Sequence, residues 1–133
     1  MYTVLKEIHF CYGHRLMNYD GKCARLHGHN GKVAIELESK TLDKRGMVFD
    51  FGDMRKIIQA WIEKELDHKM ILKKDDPLVK VLRDLGEPYF LMEENPTAES
   101  LAKLIFDTAK SKKLPVSKIM FWETPTSSAT YQK

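Results

Sequence analysis

The placement of three histidines constrains the fold of this 133-residue chain more than any other feature. His27 and His29 flank Gly28, and residues two apart on an extended segment point to the same face, so both imidazoles can aim at one spot. Gly28 brings no side chain to crowd it. His14 lies thirteen residues upstream of His27, at the end of a strand-like run. A second strand-like run begins just after His29. Antiparallel pairing of the two runs brings all three histidines together, which is the structural link that a metal site here requires. Three neutral imidazoles around one open position are the donor set of a catalytic zinc rather than a structural one. Cys23, four residues before His27, either fills the fourth position or stands beside the metal as a thiol base.

A chain of this length makes one domain, 1–133, with a real core, and 43% hydrophobic content excludes disordered and collagen-like classes. Charges in Met1–Glu7 stand where a signal peptide needs an apolar run, and no stretch approaches the roughly 20 apolar residues of a membrane span. The expectation is a soluble, cytoplasmic protein without membrane partners. In a reducing compartment Cys23, next to histidines, is reactive or ligating, whereas Cys11, inside an apolar stretch, reads as a small buried hydrophobe. The net charge of +3 is mild. Its lysine clusters, at 69, 73 and 74 and again at 110, 112, 113 and 118, read as solvated faces, with no nucleic-acid motif beside them.

Periodicity supplies the elements. Residues 2–12 read as a strand, with His9 on its partly polar face and without a function. Residues 13–30, with the turn signal Asn18-Tyr19-Asp20-Gly21, read as a long functional loop. Residues 31–42 alternate cleanly as a second strand. Asp50 is a helix N-cap, followed by Met54, Ile57, Ile58, Trp61, Ile62 and Leu66 at helical spacing. That helix delivers Asp67-His68, which is either a proton relay or a helix-end ion pair. A short helical turn covers 78–82. A second long helix opens at Asn95-Pro96, with Asn95 as N-cap and with Thr97 and Glu99 in its first turn, where a capping and dipole role is the simplest for both. Strands at 116–122 and 129–132, joined by a turn, complete the order ββααββ. This describes an α+β fold: a four-stranded antiparallel sheet with two helices on one face. Its open edges call for assembly with other subunits.

Six segments in order, His14-Arg15-Leu16, Cys23-x-x-x-His27-Gly28-His29, Val48-Phe49-Asp50-Phe51, Leu66-Asp67-His68, Asn95-Pro96-Thr97-Ala98-Glu99 and Trp122-Glu123-Thr124, resemble the 6-pyruvoyl-tetrahydropterin and 6-carboxy-tetrahydropterin synthase family. The resemblance implies a tunnelling fold (T-fold) whose trimers pair as a homohexamer with active sites between subunits. It implies His14, His27 and His29 as Zn2+ ligands, Cys23 as catalytic thiol, and Asp67 and His68 as its partners in proton transfer. It makes Glu123 the acid that anchors the pterin ring, with Thr97 and Glu99 near that pocket. A buried carboxylate suits the anchoring role, because it can accept two parallel N–H bonds from the aminopyrimidinone edge. The turn Pro125-Thr126-Ser127-Ser128 departs from the family by lacking the glycine or cysteine some members carry there. Cys23 itself argues against the branch in which glutamate replaces it for a folate-directed cleavage.

The activity so implied is a zinc-dependent lyase on 7,8-dihydroneopterin triphosphate. The short chain and the Asn-Pro-Thr-Ala-Glu form of the motif look more like the prokaryotic carboxy-forming members, which serve 7-deazaguanine (queuosine) synthesis, than like the pyruvoyl-forming ones. Arg15, Lys22 and Arg25 are either triphosphate partners or plain surface. The rival class is a non-catalytic zinc module closed by Cys23 and the three histidines, which leaves Asp67, His68 and Glu123 without a task.

Overall fold

The computed structural model describes residues 1–133, and its centre is the expected hairpin. Strands β1 (Tyr2–His14) and β2 (His27–Ser39) pair antiparallel without a break, from Tyr2 opposite Ser39 to His14 opposite His27. β1 runs two residues further than the alternation alone suggested, and β2 starts four residues earlier but stops at Ser39 rather than 42, so all three histidines lie within the strands. The connection left between them is 15–26, shorter than the loop expected from the sequence. It carries a 3-10 turn, Lys22–Ala24, and is tied across by the Leu16 N–H donating to the Cys23 carbonyl at 2.8 Å.

On its other side β2 pairs antiparallel with β5 (Val116–Thr124), which turns back tightly into β6 (Ser127–Gln132). These four strands are the ones read from the sequence. The sheet, however, has six strands, in the order β4-β3-β1-β2-β5-β6. β3 (Lys69–Lys73) lies parallel to β1 over Tyr12–His14, and β4 (Tyr89–Met92) lies parallel to β3. The four-stranded, wholly antiparallel sheet is thus corrected, and the order becomes ββαβαβαββ. Strands of five and four residues have too few positions to show a period. β3 begins and ends on two of the lysines that had read as a solvated face, Lys69 and Lys73.

The helix after Asp50 is continuous, but not uniform. An α-helical turn, α1 (Phe51–Met54), passes through a π-helical stretch, Arg55–Gln59, into α2 (Ala60–Glu65). The Asp50 side chain accepts from the Asp53 N–H at 3.0 Å, as its N-cap position requires. Met54, Ile58, Ile62 and Leu66 recur every fourth residue, and all are fully buried. On a pure α-helix each such step drifts by about 40°. The wider π turns remove much of that drift and keep the stripe on the core.

α3 (Leu78–Leu85) ends at Gly86 with φ 74°, the left-handed stop that glycine provides. α4 (Ala98–Ser111) is capped by Thr97, whose hydroxyl accepts from the Ser100 N–H at 3.1 Å. Asn95, the expected cap, instead grips the loop: its amide accepts from the Met17 N–H and donates to the Met17 carbonyl, both at 2.8 Å. The helices cover one face, where Ile8, Phe10, Val33, Ile35 and Phe121 of the sheet meet Met54, Ile58, Leu101 and Ile105. No helix is long and apolar enough to cross a membrane.

Candidate metal centre

Strand pairing alone builds the site. His14 faces His27, and Tyr12 faces His29, so the core-side face of the hairpin ends in three imidazoles and a phenol. Nε2 of His14 lies 2.9 Å from Nε2 of His27 and 3.2 Å from Nε2 of His29. The rings stand edge-on, with centroids 4.5 to 5.0 Å apart.

The other ring nitrogens decide what those contacts mean. Nδ1 of His14 donates to the Pro96 carbonyl at 2.7 Å, and Nδ1 of His27 donates to the Arg25 carbonyl at 2.7 Å. A carbonyl has no proton to give, so in the neutral rings both Nε2 atoms are bare. Two bare lone pairs at 2.9 Å repel unless a cation lies between them. A proton is a poor candidate, because burial pushes the His14 pKa down to about 4, only partly opposed by the Pro96 bond. His29 is lowered too, first by burial, with the Glu123 carboxylate acting in the opposite sense. The donor set is that of a metal ion, and the carbonyl-bound Nδ1–H groups are the outer partners that orient ligating histidines.

Glu123 belongs to this face. It follows Trp122 at the end of β5, close enough for its charge to act on both His29 and Tyr12. The Tyr12 phenol is pushed well above its ordinary pKa, chiefly by burial and then by Glu123. Its hydroxyl is buried and has no hydrogen-bond partner. Gly31 makes room for this aromatic floor: a Cβ there would come within 3.0 Å of the Tyr12 ring and 3.1 Å of Phe121. Nothing in the sequence marked Tyr12 as a neighbour of the cluster; only the register placed it there.

The segment 95–97 is drawn to the same place by the Pro96 carbonyl on His14 and the Asn95 grip on Met17. Thr97 thus stands beside the cluster as well as capping α4. Glu99 does not. It lines a separate groove of about 560 Å³ with Leu91, Glu93, Lys103, Leu104 and Tyr131, none of them from the histidine cluster. Cys23 is half-buried in its 3-10 turn, and its thiol stands outside the group of ligand atoms, which closes with histidines alone.

Asp67 and His68 lie elsewhere in the fold. They pair with each other, Asp67 Oδ2 to His68 Nδ1 at 3.0 Å, and they adjoin Cys11, whose side chain points to the opposite face of β1 from Tyr12 and His14. Cys11 is exposed, not buried: it falls on the outer face of a strand whose apolar content had suggested the core. His68 has φ 60°, a left-handed conformation rare outside glycine. Of the three basic residues considered for an anion, Lys22 and Arg25 are exposed. Arg15 is committed to Asp76, with Nε donating to Oδ2 at 2.8 Å and a second bond from the guanidinium to Oδ1.

Comparison with known proteins agrees with this architecture. The family model described as 6-pyruvoyl tetrahydropterin synthase matches residues 3–133. The chain is 35% identical to a 6-carboxy-5,6,7,8-tetrahydropterin synthase of Haemophilus influenzae over 141 aligned positions, covering 100% of both chains. It is 36% identical to one of Aquifex aeolicus over 84% of this chain and 76% of that one. An uncharacterised protein of known structure from Wolinella succinogenes superposes with TM-score 0.83 at 30% identity, covering 99% of this chain and 98% of the other. The Caenorhabditis elegans 6-pyruvoyl tetrahydropterin synthase shares the fold, with TM-score 0.74 at 23% identity over 99% and 95% of the two chains. Matched along almost its entire length, this chain belongs to the 6-pyruvoyl tetrahydropterin synthase family of enzymes.

Proposed function

We propose that this chain is a zinc-dependent lyase that converts 7,8-dihydroneopterin triphosphate to 6-carboxy-5,6,7,8-tetrahydropterin, releasing acetaldehyde and triphosphate, as a step toward 7-deazaguanines such as queuosine. The observation that carries the reading is the convergence of three imidazole Nε2 atoms, two of them bare, with the Glu123 carboxylate close enough to act on His29. The curated relatives that match at 35% and 36% identity favour the carboxy-forming activity over the pyruvoyl-forming one.

In this reading His14, His27 and His29 hold the ion. Zinc there supplies Lewis acidity toward the side-chain hydroxyls of the substrate. Glu123 accepts the paired N–H groups of the pterin ring and so fixes how far the side chain reaches. Thr97, tied to His14 through Pro96, borders the same pocket, whereas Glu99 has a substrate role only if the groove it lines joins that pocket in the assembly. Cys23 is the base that moves protons at the side-chain carbons, with His68 as its proton partner and Asp67 holding the His68 ring by the 3.0 Å bond. The strained φ of His68 supports a functional role, because a residue kept in that region against its preference needs a reason to be histidine.

The dyad lies on the other face of the sheet from the histidines of its own chain. The proposal therefore assigns it to the site of a neighbouring subunit, in a homohexamer of two trimers in which the whole chain, 1–133, acts as one T-fold domain in the cytoplasm. Neither a nucleic acid nor a membrane enters this reading. The test is incubation of the zinc-loaded protein with 7,8-dihydroneopterin triphosphate. Acetaldehyde together with the carboxy product supports the proposal. Triphosphate release without acetaldehyde assigns the pyruvoyl product instead, and no turnover with tightly held zinc supports the non-catalytic module.

A further inference from the structure

On the outer face of β1, Cys11, Asp67 and His68 bring a thiol, a carboxylate and an imidazole together, with their ligand atoms all within 4.8 Å of one another. We infer that these three side chains form a second transition-metal site, suited to a borderline divalent ion such as zinc or cobalt. We infer further that an ion held there withdraws His68 from proton transfer and so inhibits the enzyme. The inhibitory half rests on the function proposed above; the binding half does not.

The donors are positioned by main chain rather than by chance on a mobile surface. The Cys11 N–H donates to Asp67 Oδ1 at 3.0 Å across a separation of 56 residues. The His68 N–H donates to the Cys11 carbonyl at 2.7 Å, and Asp67 Oδ2 lies 3.0 Å from His68 Nδ1. These bonds hold His68 at φ 60° and keep all three side chains on one short stretch of sheet edge.

The trio is not set up as a nucleophile and base. Cys11 Sγ donates to Asn30 Oδ1 at 3.0 Å and makes no hydrogen bond to His68. A mixed sulfur, nitrogen and oxygen set is a zinc-type donor set. Two ligands of one tetrahedral zinc lie roughly 3.5 Å apart by its bond lengths. The His68 side chain is 76% exposed, which leaves its ring room to turn toward that spacing. Binding releases the thiol proton to solvent. The Asn30 amide, turned over, then presents an N–H to the thiolate, an outer partner already in place. Cys11 and His68 also line a hollow of about 240 Å³ with Leu82, Glu87 and Pro88, which leaves room for the ion and its remaining water.

The experiment uses the full-length apo protein and cobalt(II) alone, because thiolate ligation adds a near-ultraviolet charge-transfer band that imidazole and carboxylate do not. Wild type is expected to take up a second equivalent with that band. Cys23→Ala is expected to keep the band. Cys11→Ser, a near-isosteric change at an exposed position checked by circular dichroism, is expected to lose the band and the second equivalent but retain the first. Uptake of a single equivalent by wild type, a band that survives Cys11→Ser, or one lost only in Cys23→Ala overturns the site. With excess zinc, Cys11→Ser is expected to need roughly tenfold or more zinc for half inhibition, the usual affinity cost of a lost partner. Equal sensitivity of the two proteins overturns the inhibitory role. Absence of turnover in both at one equivalent of zinc overturns the proposed function instead, and the cobalt titration still decides the site.

Discussion

His68 lies in the turn three residues past the end of α2 and takes φ 60°, a conformation that glycine adopts without steric cost. A left-handed backbone costs a non-glycine residue roughly 1–2 kcal/mol. His68→Gly is therefore expected to raise stability by about 1 kcal/mol in urea unfolding while turnover falls by about 10² or more, the usual share of a proton-transfer group. A variant both less stable and fully active would contradict the assignment. The cluster makes the reverse case. His27→Ala or His29→Ala is expected to abolish bound metal and activity together, read by elemental analysis of the purified protein, whereas His9→Ala, on the exposed face, leaves both intact. Cys23 is separable from the ligands because its thiol lies outside their group. Cys23→Ala is expected to keep zinc and bind pterin yet lose turnover; loss of metal would return Cys23 to the ligand set.

Among the elements, the connection between β1 and β2, which holds Cys23, has no buried residue of its own. Its order comes from three ties: Leu16 to Cys23 within it, Asn95 to Met17, and Arg15 to Asp76 at its start. Asp76 is buried and also accepts from the Leu78 N–H at 2.8 Å, so one carboxylate anchors the loop and caps α3. The Arg15 hydrogen bond, then the Leu78 N–H, hold the Asp76 pKa below its ordinary 3.8. A lowered carboxylate pKa contributes stability that is complete above the unfolded value of 3.8 and is lost as pH falls through the lower folded value. Asp76→Asn is expected to cost about 2–3 kcal/mol at neutral pH, somewhat less than a fully buried pair because Arg15 is partly hydrated. The gap between wild type and variant is expected to narrow below that value in acid unfolding. A gap independent of pH would mean that the loss comes from the cap alone.

For the molecule as a whole, the sheet leaves two unfinished margins. β3 reaches β1 only at Tyr12–His14, so residues 2–10 of β1 have no strand on that side, and β6 ends the sheet at the other margin. Beside the free part of β1, Tyr2, Met47 and Phe51, all exposed, line an apolar hollow of about 410 Å³. Unpaired strand edges next to exposed apolar surface favour association. Light scattering is expected to give the mass of a homo-oligomer, most simply the hexamer. A fully active single chain at low concentration would contradict both the assembly and a site completed by a neighbour's dyad.

The local periods of the chain reached as far as the four antiparallel strands and the helical stripe from Met54 to Leu66. Alternation and every-fourth spacing are written in adjacent residues, and burial then enforces them. The histidine set was legible for the same reason: one hairpin of fixed register decides which side chains share a face. The shared face of Tyr12 and His29, the outward Cys11 beside Asp67 and His68, and the grip of Asn95 on Met17 depend on contacts between segments far apart in the chain, which no local pattern encodes. β3 and β4 belong with them, because strands of five and four residues owe their state to the edge they join rather than to their own sequence. Register placed Tyr12 and the three histidines on one face of the β1–β2 hairpin, and the tertiary fold alone placed the dyad on the other.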